Sequence, residues 1–258
     1  MKRRNFLQMS GLLAAAPAVE AFAACTNSAG ATSAKNIYEW KIYTLTSNGH
    51  ELDEYYSRTL IPALKKLNVK TGAFKLLKPE EHELRYILHV YNDWDAYRKA
   101  KSGLCKDENY LKAAQPFFEA TAPKPVYTEY QTFLCEAFDK YPTLIQPSAE
   151  RTLLEFRNYK SPNEEANWRK IKMFETEEVA LFDKVGVHSV CYGNVIAGPR
   201  MPSLIYLTWG KNEDTRNEAW KQFSSSQEWQ TMRVKPEYAN TATDNKVVLL
   251  SPLDFSEI

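Results

Sequence analysis

The chain has 258 residues, 44% of them hydrophobic and 13% aromatic, with 33 Lys and Arg against 32 Asp and Glu. That composition supports a sizeable core and excludes a disordered chain, and a formal charge of +1 lacks the electrostatic footprint of a nucleic-acid binder. No apolar run reaches the roughly 18–20 residues that cross a bilayer, and the four cysteines form no C-x-x-C pair, which argues against a disulfide scaffold or a zinc ribbon.

The chain opens on Lys2-Arg3-Arg4-Asn5-Phe6-Leu7, followed by a weakly apolar stretch from Met9 to Val19 and then small residues. This is the order of an export signal peptide, expected over residues 1–24. Its adjacent arginines followed by x-Phe-Leu resemble the twin-arginine address. Phe22-Ala23-Ala24-Cys25 resembles a lipoprotein cleavage box and makes Cys25 the lipidation candidate. Ala21-Phe22-Ala23 offers the rival reading, an ordinary A-x-A cut that releases a soluble protein. Residues 25–35 are rich in Ser, Ala, Thr and Gly, as a flexible tether is. The expected location is the periplasm or cell envelope, with a lipid on Cys25 as the sole membrane attachment.

The remainder reads as one unit written twice. Glu39-Trp40-Lys41-Ile42-Tyr43 recurs as Glu155-Phe156-Arg157-Asn158-Tyr159, and Lys66-Leu67-Asn68-Val69-Lys70 as Lys184-Val185-Gly186-Val187-His188. Ile87 to Tyr91 aligns with Ile205 to Trp209, and Thr132-Phe133-Leu134 with Val248-Leu249-Leu250. The units span residues 36–138 and 150–258, joined by a link at 139–149 that holds Pro142 and Pro147. β-rich stretches are predicted at 38–45, 70–77, 84–91 and 152–159. A helix carries Leu52, Tyr56, Leu60 and Leu64 at helical spacing, with Pro62 an awkward interior residue. Ser161-Pro162-Asn163-Glu164 is predicted to cap its second copy with Ser161, and Thr215 to cap the later helix.

Each unit therefore reads strand, helix, strand, strand, helix, strand. The expected fold class is α+β: two tandem ferredoxin-like (βαββαβ) repeats forming an intramolecular α/β barrel of the dimeric type, each sheet covered by helices on one face only. The motifs resemble those of the NIPSNAP family. They are Tyr38-Glu39-Trp40-Lys41-Ile42-Tyr43 for an opening Y-E-x-R-x-Y strand, Leu60-Ile61-Pro62-Ala63-Leu64 for L-x-P-x-L, His89-Val90-Tyr91 for H-L-W and Ser226-Gln227-Glu228-Trp229-Gln230 for D-P-E-W-Q. The resemblance implies the dimeric α/β-barrel fold, excuses Pro62 and carries no defined reaction. Lys41 in place of Arg, and Leu207 aligned with His89, imply that a site can be alive in one half only.

Strand alternation puts Glu39, Lys41 and Tyr43 on one face, and Glu155, Arg157 and Tyr159 on its counterpart. The larger apolar set is expected to meet the helices, so these polar residues are expected to line the barrel interior as ligand-binding candidates. Tyr91 and Trp209 are added to them. Their rival role is a structural ion-pair network. His89 is the candidate for acid–base work near neutral pH. No metal is expected: His82 among Glu80, Glu81 and Glu83 is a turn facing water. Trp94, Trp220 and Trp229 are read as core. No G-x-S-x-G, P-loop, G-x-G-x-x-G or H-E-x-x-H occurs, and no cofactor is predicted. Three readings follow: a protein binding a small molecule in the barrel, a monooxygenase-like enzyme (cofactor-free, or haem-dependent through His89 or His188), and an interaction module with a filled barrel. Homo-oligomerisation is left open by the sequence.

Overall fold

The computed structural model describes residues 34–258; the expected export signal and Cys25 lie outside the described residues. The first repeat runs β1 (Ile37–Leu45), α1 (His50–Tyr55), a π-helical turn (Tyr56–Leu60), α2 (Ile61–Lys65), β2 (Lys70–Leu76), β3 (Leu84–Tyr91), α3 (Trp94–Leu104), α4 (Glu108–Thr121) and β4 (Tyr127–Ala137). The second repeats it as β5 (Leu153–Lys160), α5 (Glu164–Met173), a π-helical turn (Phe174–Glu178), α6 (Val179–Val185), β6 (His188–Ala197), β7 (Ser203–Gly210), α7 (Glu213–Ser225), α8 (Gln227–Met232) and β8 (Asp244–Pro252).

The eight strands close into a barrel in the order β1-β3-β2-β8-β5-β7-β6-β4. Within each repeat the order is the ferredoxin-like one, and the repeats join edge to edge at β2–β8 and β4–β6. The β2–β8 seam is short, pairing Phe74–Leu76 with Leu250–Pro252. Pro252 carries no N–H for the ladder, and beyond it the chain bonds back to β2 through Leu253 N to Ala73 O (2.9 Å) and Glu257 N to Thr71 O (3.0 Å). The link at 139–149 is pinned rather than loose: Asn36 N donates to Pro142 O and Ile145 N to Val190 O.

Local chemistry explains the repeat. Asn68 and Gly186 both end their helices with φ near +60° to +80°, a conformation that Asn and Gly adopt with least strain. The cap of α5 is Asn163, accepting from Ala166 N; Ser161 instead donates to Thr241 O. Likewise Asn212 caps α7, and Thr215 is the third-residue partner of its capping box. Pro62 follows closely on a π-helical turn, where Ile61 N already reaches back to Tyr56 O and the usual ladder is broken. The turn at 174–178 has no proline after it, so Pro62 is not what makes the turn.

The faces are the reverse of the sequence expectation. Tyr38, Trp40 and Ile42 point into the barrel, where Trp40 meets Phe156 from the opposite repeat at 4.9 Å and Phe74 at 6.3 Å. Their neighbours Glu39, Lys41 and Tyr43 face the helices, as Tyr43 shows by packing on Tyr56. The barrel interior is filled by large side chains, so it is not the expected ligand chamber. Both faces of every central strand are buried, one by helices and one by the other repeat, and alternation alone does not say which is which. Trp40 is 1% exposed. Trp40→Ala is therefore expected to lower unfolding free energy by about 3–5 kcal/mol in a denaturant titration. A change below about 1 kcal/mol would mean that the barrel is not close-packed.

Register supplies a second correction. Glu39 pairs with His89, whereas Glu155 pairs with Thr208. The counterpart of His89 is therefore Thr208, not Leu207. That one-residue slip sends Leu207 into the barrel with the apolar cluster against which Trp209 packs, opposite to the helix face that holds His89 and Tyr91.

Candidate functional site

The helix-facing side of each sheet carries the polar residues, and the two repeats use them differently. In the first, Glu39 accepts from Tyr91 (2.7 Å) and from Lys101 (2.5 and 2.7 Å). Burial raises the Glu39 carboxyl pKa, but Lys101, His89 and Lys41 outweigh it and hold it below its ordinary value. His89 is 2% exposed, with its Nδ1 3.0 Å from the Thr71 hydroxyl and its ring stacked on Tyr56. Burial drives its pKa down to about 3, helped by Lys41 and Lys101 against the opposing pull of Glu39. His89 is thus a neutral, enclosed imidazole, not an acid–base group for neutral pH. Where the second repeat has polar partners, the first has Leu52 and Leu60, both buried in its core.

In the second repeat the same face opens into a cleft of about 350 Å³ between β5 and the helices, lined by Arg157, Tyr159, Lys170, Glu178, Arg216, Trp220, Phe223 and Trp229 among others. Glu155 is 1% exposed and anchors it. It accepts from Arg157 Nε (2.8 Å), Arg216 Nε (2.9 Å) and Nη2 (2.5 Å), and Trp220 Nε1 (2.7 Å). Burial raises the Glu155 pKa, but the hydrogen bond from Arg216 and the charges of Arg157 and Arg216 prevail and hold it below the usual carboxylate value. The Arg157 guanidinium lies 3.7 Å over the Trp220 ring and donates through Nη1 to the Tyr159 hydroxyl at 2.6 Å. Tyr206 donates to the same hydroxyl at 2.9 Å. Lys170 and Glu178 form a buried pair at 2.8 Å, with Glu178 on the π-helical turn. Such turns displace one residue of a helix and often aim a side chain into a site.

Of the candidates, Glu155, Arg157 and Tyr159 converge here, while Glu39, Lys41, Tyr43, His89 and Tyr91 lie in the first repeat. Trp209 stacks on His188 at 4.4 Å and is not part of this cleft lining. Sequence reasoning missed Lys170, Glu178, Tyr206 and Arg216, and took Trp220 and Trp229 for core. The available signal was the replacement of Leu52 and Leu60 by Lys170 and Glu178 at one constant offset, a polar pair at core helical positions.

Residues 154–257 match the NIPSNAP family model, the segment that builds this cleft. The second repeat is similar to a NIPSNAP domain. No curated protein matches the chain. Among solved structures, a candidate monooxygenase from Fusobacterium nucleatum superimposes with a TM-score of 0.55 at 12% identity, covering 85% of this chain and 93% of that one. One from Lactobacillus acidophilus gives 0.54 at 12% identity, covering 84% and 94%. A NIPSNAP family protein of unknown function from Agrobacterium tumefaciens aligns at 18% identity with a TM-score of 0.38, over 44% of this chain and 98% of its own. The first two show the fold shared across both repeats. The NIPSNAP match falls on the half whose helix–sheet cleft carries the polar set.

Proposed function

We propose that this protein binds a small anionic molecule in the helix–sheet cleft of its NIPSNAP-like domain. One observation carries the reading: three cations, Arg157, Lys170 and Arg216, line the cleft, and two carboxylates balance them, Glu178 in the lining and the buried Glu155 paired with both arginines. The side chains of Arg157 and Lys170 are 12% and 7% exposed, so water screens the surplus positive charge poorly. An anion with an apolar body would balance it, lying against Trp220, Phe223 and Trp229. The filled barrel agrees with the interaction-module reading, but the cleft exceeds the roughly 300 Å³ at which ligand pockets begin.

The monooxygenase alternative rests on fold likeness, which supports no chemistry by itself. Its haem version finds little here: His89 is enclosed, and His188 borders a cavity of about 240 Å³. Export to the cell envelope belongs to the same proposal, supported by Lys2-Arg3-Arg4 and the small residues before Cys25.

Native mass spectrometry of protein isolated gently from the envelope fraction tests both parts. The expected spectrum shows an acidic adduct that is lost in Arg157→Gln, whose cleft has equal numbers of charges of each sign. An adduct unaffected by that substitution would sink the cleft assignment. Recovery from the cytosol with residues 1–24 intact would sink export.

A further inference from the structure

We propose that the ligand is held through a single oxygen on a flat aromatic body, a phenolate-type group, and that Tyr159 donates the hydrogen bond to it. This rests on the anion-binding reading above and narrows it to a chemical class.

The direction of the hydrogen bonds carries the argument. Guanidinium nitrogens only donate, so Arg157 Nη1 gives its proton to Tyr159 Oη. Tyr206 also donates to that oxygen. Tyr159 Oη thus accepts twice, and its own proton has no protein acceptor among the described residues although the side chain lines the cleft. Next to it, Lys170 Nζ donates to Glu178 (2.8 Å) and weakly to Met173 Sδ (3.4 Å) and lies 4.8 Å from the Phe174 ring centroid, which leaves one of its three protons without a hydrogen-bond acceptor.

The guanidiniums are engaged elsewhere. Arg157 Nε and Nη2 go to Glu155, as do Arg216 Nε and Nη2, while Arg216 Nη1 goes to Asn217. Every guanidinium nitrogen therefore has an acceptor. Nη1 and Nη2 of each arginine keep a second N–H, but a carboxylate or phosphate gripped in parallel would have to share nitrogens already tied to Glu155, Tyr159 or Asn217. Among these groups the Tyr159 hydroxyl is the one whose sole proton has no acceptor, and a single O–H in a positive field is a match for one charged oxygen. Trp220, one face of which the Arg157 guanidinium covers, lines the cleft with Phe223 and Trp229, and the three give it apolar aromatic surface suited to a ring.

The test titrates the full-length protein with 4-nitrophenol, whose visible band reports its ionisation, and with 4-nitrobenzoate, the carboxylate on the same ring. The expected result is binding of 4-nitrophenol as its anion, with its apparent pKa lowered by about one unit or more, and affinity at least about tenfold above that for 4-nitrobenzoate. Tyr159→Phe should weaken 4-nitrophenolate binding by about tenfold or more and abolish the pKa shift, leaving the weaker 4-nitrobenzoate binding unchanged. Tyr206→Phe, which keeps the Tyr159 proton, should retain the preference. Equal or tighter binding of 4-nitrobenzoate, or a Tyr159→Phe protein that keeps the shift, overturns the single-oxygen assignment and leaves anion binding standing. Failure of both probes to bind, or equal binding by Arg157→Gln, overturns both. If Tyr159→Phe does not fold, the preference measured in the unsubstituted protein decides.

Discussion

Between pH 6.5 and 5 the protein is expected to lose about 2 kcal/mol of stability through one residue, His89. Its imidazole has a folded-state pKa of about 3 because burial outweighs the attraction of Glu39. In the unfolded chain the pKa is about 6.5. Between these values the unfolded state binds one proton that the folded state does not, so stability rises with pH and falls as the solution is acidified. The loss begins below about pH 6.5 and continues until His89 itself protonates. For a chain of this size, 2 kcal/mol corresponds to a midpoint lower by roughly 4–8 °C at pH 5. His89→Asn should be less stable at neutral pH, since the ring leaves its place on Tyr56, but its midpoint should be nearly level over this interval. Thermal unfolding at several pH values checks both curves; parallel slopes would mean that another group takes up the proton.

The Lys170–Glu178 pair makes the second large prediction, and the first repeat has already performed a version of it. Both side chains are more than nine-tenths buried. Lys170→Leu alone strands the Glu178 carboxylate and should cost about 3–5 kcal/mol. The double change to Lys170→Leu with Glu178→Leu recreates the Leu52 and Leu60 found in the first repeat. Replacing a buried ion pair by packed apolar groups is often neutral, or stabilising by about 1–4 kcal/mol. The double variant should therefore regain the stability lost in the single one, while losing the ammonium donor that faces the ligand. Denaturant midpoints of the three proteins, read beside 4-nitrophenol titrations, check this. A double variant as unstable as the single one would show that the pair holds the π-helical turn together. One that binds 4-nitrophenol unchanged would remove Lys170 from the site.

The duplication makes sense of the contrast. Both repeats keep the Glu–x–base–x–Tyr strand and the π-helical turn, yet only the second surrounds that strand with Lys170, Glu178, Arg216 and Tyr206. Ile87 holds the place of Tyr206 in the register, since Lys41 pairs with Ile87 and Arg157 with Tyr206. The first repeat supplies half the barrel wall and a version of the same face in which Leu52, Leu60 and Ile87 stand where the second has Lys170, Glu178 and Tyr206. A further cavity of about 770 Å³ lies between α1 and α4, where Tyr55 is already hydrogen-bonded to Tyr110 and Glu54 is paired with Arg58.

Residue spacing alone determined the strands near 38–45, 70–77, 84–91 and 152–159, the order βαββαβ repeated, and the grouping of Glu155, Arg157 and Tyr159 on one face. Those follow from local rules: period-two alternation and helical spacing. Only the tertiary structure decided which face was inside. A strand with one wet face shows it by its polar residues, but these strands have none, since helices cover Tyr43 and the opposite repeat covers Trp40. Charge was read as a mark of the barrel interior, whereas Trp40, Phe74 and Phe156 fill it. Convergence was likewise beyond the sequence. Arg216 and Lys170 stand 61 and 15 positions from Glu155 in the chain, and packing of α5 and α7 on the sheet is what brings them to one cleft.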